Sequence, residues 1–72
     1  MDELMMPFVY VNGNSVLAVM PSDIKGYRVK YRRRGSMYWL VEPTFSPRKT
    51  LREAQKELDE YADRLKLKKL ED

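Results

Sequence analysis

Five bases stand among the seven residues Arg28, Val29, Lys30, Tyr31, Arg32, Arg33 and Arg34, with no acid between them. In an extended strand alternate side chains share a face, so Arg28, Lys30 and Arg32 would project together while Val29 and Tyr31 point the other way. Arg33 and Arg34 then fall in a turn before Gly35, and Tyr38 lies on the returning segment. Arginine outnumbers lysine four to one here. A guanidinium offers a planar fork of donors that matches phosphates and guanine edges in pairs, which the point charge of a lysine does not. The chemistry on offer is therefore charge-assisted hydrogen bonding to an anion, and Tyr38 adds a hydroxyl and a ring that can stack. An ordinary solvated sheet face also alternates, but it mixes charges of both signs.

Bond-making chemistry has no comparable cluster. The chain contains no His and no Cys, so the commonest general base and the thiol nucleophile are both missing. The acids Glu53, Glu57, Asp59, Glu60 and Asp63 alternate with bases along a segment that reads as an exposed helix face. The three glycines are scattered at turns and form no phosphate-cradling loop. The expectation is a protein that is not an enzyme, needs no cofactor or metal and takes no small-molecule substrate.

The net charge of +3 over 72 residues hides an uneven distribution. Residues 1–24 hold three acids and no base, residues 25–49 hold eight bases against Glu42, and residues 50–72 hold six bases and seven acids. A basic middle third suits a nucleic acid or an acidic protein partner. No stretch is long or apolar enough to span a bilayer, and Asp2 and Glu3 stand where a signal peptide needs positive charge. With cysteine absent as well, the chain is read as soluble and cytoplasmic.

The elements that must position the bases follow from turn chemistry and periodicity. Residues 1–72 read as a single small domain. A first hairpin spans 8–20 around Asn12-Gly13, a dipeptide suited to a type I′ turn, and Pro21-Ser22-Asp23 ends it. A second, basic hairpin spans 27–42. A three-residue loop Arg33-Arg34-Gly35 would set Tyr31 opposite Met37, Val29 opposite Trp39 and Tyr27 opposite Val41 on one apolar face. Arg28, Lys30 and Arg32 would then lie opposite Leu40, Tyr38 and Ser36 on the other. A two-residue loop Arg34-Gly35 would move Trp39 and Val41 among the bases, and burial of the apolar residues together favours the first register.

The connector Glu42–Pro47 carries Phe45 as a plug, and a helix spans 47–68. Its start lies at Pro47, behind Ser46, or at Leu51, behind the capping box Thr50-x-x-Glu53. Leu51, Ala54, Leu58, Tyr61, Ala62 and Leu65 form one apolar stripe. Leu67 and Leu70 fall off that stripe, either as part of a frayed tail (69–72) or as a contact for a homodimer or other protein. The fold class is α+β: an antiparallel sheet of two consecutive β-hairpins, three to four strands, packed on one C-terminal α-helix. Its core is expected to hold Val29, Tyr31, Trp39, Val41, Phe45, Leu51, Ala54, Leu58, Tyr61 and Leu65.

From Tyr27 onward, YRVKYRRRGSMYWLVE, then Phe45, then TLREAQKELDEYADRL resembles the small N-terminal DNA-binding domain of tyrosine recombinases, the integrases of phages and conjugative transposons. Tyr27, Val29 and Tyr31 match the family's basic strand, and Thr50, Glu53 and Ala54 match its capped helix. That family is similar in fold to the plant AP2-type domain, a three-stranded sheet backed by a helix. The resemblance implies that the sheet lies in the major groove of DNA, with Arg28, Lys30, Arg32 and Tyr38 on the groove face and Arg33 and Arg34 in the turn. The stretch from Phe45 to Thr50 is longer than the family's step, and the first hairpin adds strands that carry no base.

The expected function is a non-catalytic nucleic-acid-binding module. Double-stranded DNA is the expected partner, RNA the alternative, and an accessory or regulatory role for a mobile element the expected setting. The rival expectation is a protein-interaction or dimerisation module that uses the first hairpin with Leu67 and Leu70.

Overall fold

The computed structural model describes residues 8–22 and 26–70. The acidic N-terminus, Asp23 of the inter-hairpin turn and the last two residues of the tail lie outside them. In chain order the elements are β1 (Tyr10–Asn12), β2 (Ser15–Pro21), β3 (Tyr27–Arg33), β4 (Leu40–Val41), α1 (Leu51–Leu65) and β5 (Lys68–Lys69). The strands form one antiparallel sheet in the order β4-β3-β2-β1-β5, and the chain is an α+β domain. Five strands are present where three or four were expected, and the fifth comes from the tail.

The β-branched and aromatic residues of β2 and β3 pair along their whole length, from Ser15 opposite Arg33 to Pro21 opposite Tyr27. On one face Leu17 stands opposite Tyr31 and Val19 opposite Val29, and α1 covers that face. The helix contributes Ala54, Leu58 and Ala62, four residues apart and all buried, so one stripe meets the sheet. Leu58 at 0% and Val29 at 1% exposure mark the centre. Phe45 plugs the end of the layer as expected, edge-on to the Tyr61 ring at 5.0 Å and 73°. Tyr27, Tyr31, Leu51, Tyr61 and Leu67 pack around this cluster from partly exposed positions.

The first hairpin turns on Gly13-Asn14, one position later than expected, with Asn12 opposite Ser15. Only Gly13 takes a positive φ, 61°, which is the pattern of a type II′ turn rather than I′.

The second hairpin departs further. Val41 pairs with Lys30 and Leu40 with Tyr31, three residues out of the expected register. An odd shift turns every side chain to the opposite face. Val41 is accordingly 43% exposed, and Trp39 is half-buried outside the core cluster. The cause lies in the turn. Ser36 N–H donates to Arg33 O with Gly35 at φ 87° in the third position, a type II geometry. Type II turns splay the strands they join. Tyr38 N–H then donates to Ser36 Oγ, so residues 36–39 stay out of the ladder and only two residues remain for β4.

The helix begins at Leu51, not Pro47. Thr50, extended at φ −124° and ψ 153°, accepts the Glu53 N–H at 3.1 Å. Residues before it cannot be helical, because Arg48 pairs with Tyr27 through both backbone hydrogen bonds, 2.7 and 2.9 Å. That bridge also explains Gly26: a Cβ there would meet Arg48 O at 2.5 Å.

The helix ends at Leu65, three residues before the expected boundary, and Leu65 itself is 49% exposed rather than core. Lys66 adopts the left-handed conformation at φ 60°, ψ 40°. Its N–H donates to Asp63 O, and Leu67 N–H donates to Ala62 O at 2.8 Å. This is a Schellman turn, a position that glycine usually fills. Leu67 folds back against the core, and Lys68 and Lys69 pair with Val11 and Tyr10. Where a frayed tail was expected from residue 69, the chain forms an edge strand.

Candidate nucleic-acid interface

Arg28, Lys30 and Arg32 project from the sheet face away from the helix, opposite Met20, Ala18 and Val16. Their shared face is as expected; their neighbours are not. Lys30 faces Val41 across β4, and Leu40 lies opposite Tyr31 on the other side. Two of the three bases also have internal partners. Arg28 Nη2 donates to Phe45 O at 3.2 Å. Arg32 Nη1 donates to Ser36 O at 2.9 Å, and its guanidinium lies 5.2 Å from the centre of the Trp39 ring, a cation–π contact. The Nε atoms of both arginines are buried without a partner. Lys30, between them, makes no hydrogen bond or ion pair among the described residues.

Arg33 and Arg34 are exposed at the turn. Arg34 N–H donates to Asn14 O at 2.8 Å, which lashes this turn to the tip of the first hairpin. Tyr38 is 76% exposed in the connection before β4, not within the ladder opposite Lys30.

The structure adds bases from beyond the helix. Lys66, Lys68 and Lys69 line an open groove of about 710 Å³ together with Arg34, Val11, Leu67 and Leu70. Four of the seven lining residues are cations and none is an acid. The signal for this was the phase of the apolar stripe: Leu67 points away from Leu58 on a continuous helix, so a buried Leu67 requires the helix to have ended. Lys69 Nζ sits 3.7 Å over the Phe8 ring, so its charge is turned towards the helix side of the sheet.

Charge is unevenly distributed among the described residues. Outside α1 the described residues carry ten bases (Arg28, Lys30, Arg32, Arg33, Arg34, Arg48, Lys49, Lys66, Lys68 and Lys69) against the single acid Glu42. The helix carries five acids and three bases. Some acids have structural duties. Glu57 bonds Arg48, which holds its carboxyl below the ordinary range. Asp59 accepts from Tyr10 OH at 2.7 Å and from the buried Gln55 Nε2 at 2.9 Å. Burial first, then the hydrogen bond to Asp59, pushes the Tyr10 phenol up to about 12.

Among the described residues no group of His, Cys, Asp or Glu is placed to hold a metal ion, and no helix is long and apolar enough to cross a membrane. Chemically, the sheet side can hold a polyanion by charge and hydrogen bonds. Compared with known families, characterised proteins and solved structures, the chain matches none.

Proposed function

We propose that this protein is a non-catalytic nucleic-acid-binding module that takes double-stranded DNA on the basic side of its sheet. The observation that carries the reading is a local run of one sign: Arg28, Lys30 and Arg32 share the open face of the sheet, Arg33 and Arg34 stand at the turn, and Arg34, Lys66, Lys68 and Lys69 line a groove without an acid. A phosphate backbone responds to such a one-signed surface by releasing counterions, which drives binding. The resemblance to recombinase N-terminal domains supports the same orientation, sheet towards the DNA and helix behind. It also favours an accessory or regulatory role for a mobile element as the setting.

The rival reading keeps Leu70 as an exposed residue but finds less support in the rest of its surface. Val16, Leu17, Ala18 and Val19 of the first hairpin are buried within the single chain, and Leu67 packs against the core.

The test is fluorescence anisotropy of a labelled duplex titrated at several salt concentrations. Four or five phosphate contacts give a log–log salt slope of about −4. Arg33→Gln with Arg34→Gln should flatten that slope by about 2, because each lost contact removes roughly 0.9. Absence of binding at low salt would overturn the proposal. Tighter binding to duplex RNA of the same sequence would transfer it to RNA, whose deep, narrow major groove a sheet cannot enter.

A further inference from the structure

We infer that the sheet straddles a groove of the duplex and grips both phosphate ridges, with Lys66 and Lys68 supplying the second half of the grip. This rests on the nucleic-acid reading above. The argument begins with width. A three-stranded sheet is two inter-strand spacings across, about 10 Å, and fits a major groove about 12 Å wide. The five strands here, β4-β3-β2-β1-β5, span four spacings, about 19 Å, and do not fit.

What such a sheet can do depends on where its charges lie. One row on the open face runs Arg32, Val16, Val11, Lys68 across β3, β2, β1 and β5. Its ends are cations and its middle is apolar. The ends are three spacings apart, about 14 Å, close to the width of the major groove. Phosphate oxygens at the two rims of a groove would meet charge at both ends of the row, and the apolar middle would lie over the opening.

The far end is built rather than loose. The Schellman turn fixes Lys66 through Leu67 N–H on Ala62 O, and pairing with Val11 fixes Lys68. Leu70 N–H on Val9 O at 2.7 Å closes the strand behind them. With the backbone held this way, only side-chain freedom is lost on binding. Arg34 lines the same groove and connects it to the arginine turn. Arg28 and Arg32 each spend one N–H on a backbone carbonyl, which ties their guanidinium groups to connecting segments, and a grip made through phosphates carries no sequence information of its own.

The test compares the wild type with the double variant Lys66→Gly, Lys68→Gln. Glycine suits the left-handed position, so the variant's urea midpoint should hold or rise, which keeps folding out of the comparison. On a labelled duplex the variant should bind at least about tenfold more weakly near 0.1 M salt, with a slope flatter by about 1.8. On a single strand of the same length, which offers only one backbone, wild type and variant should bind alike. A variant that keeps duplex affinity and slope while the wild type binds would overturn the straddling grip, as would an equal loss on the single strand. A wild type that binds neither probe would instead overturn the nucleic-acid reading itself.

Discussion

The guanidinium of Arg28 holds the Phe45 carbonyl, and that of Arg32 holds the Ser36 carbonyl and lies over Trp39. Each side chain ties a connecting segment to β3. Removing Arg28 leaves a half-buried carbonyl without its donor, so Arg28→Ala should lose about 1–2 kcal/mol in urea denaturation. Lys30→Ala, at the neighbouring face position, should stay within about 0.5 kcal/mol. Alternation along residues 28–32 made the shared face legible in the sequence. The partners were not, because the carbonyls belong to connectors whose path no local rule dictates. Trp39 shows the same limit. Its size argues for the core, yet an arginine ring contact outside the core accounts for its burial.

At the scale of elements, the local signals that succeeded are chemical and short in range. The Thr50–Glu53 spacing marked the cap, and the four-residue steps of Ala54, Leu58 and Ala62 marked the buried stripe. The failures arose where a turn carried no glycine signal or carried a misleading one. Lys66 ends the helix in a conformation that its residue type does not announce, and Gly35 fits either a tight hairpin or the type II turn that forms. The contact that fixes α1 to β1, Tyr10 on Asp59, was likewise invisible.

That contact has a pH signature. The folded-state pKa of Tyr10, about 12, lies above the ordinary 10, so the native state holds the proton more tightly than the unfolded chain. The stabilisation is present in full below pH 10 and is lost as pH rises through 12. The urea midpoint should fall across that window. A Tyr10→Phe variant, less stable at neutral pH, should lack this part of the fall.

For the whole molecule the local excess of charge has a cost. Arg28, Lys30, Arg32, Arg33 and Arg34 crowd together on β3 and its turn with no acid among them, and they repel one another. Added salt screens that repulsion over about 10 Å at 0.1 M and less at higher concentrations. The melting temperature should therefore rise by a few degrees between about 0.05 and 0.5 M NaCl, since about 1 kcal/mol moves a domain of this size by roughly 4–8 °C. A surface with mixed charge would show no such rise. Saturating duplex DNA at low salt should raise the melting temperature in the same direction, because a ligand that binds only the folded state stabilises it.

Tyr10 lies opposite Lys69, so a strand made early in synthesis waits for one that follows it only after β2, β3, β4 and the helix. The β2–β3 pair and the helix cap can form while the chain is still emerging from the ribosome, since their contacts join residues already present. The rung between β1 and β5 closes a loop of almost the entire described chain, and loops of that length close late. Until then the outer edge of β1 is bare and able to pair with another strand. The lysines of β5 thus reach their places after the rest of the described sheet. A newly made molecule has a protected edge and both banks of cations only once β5 is home.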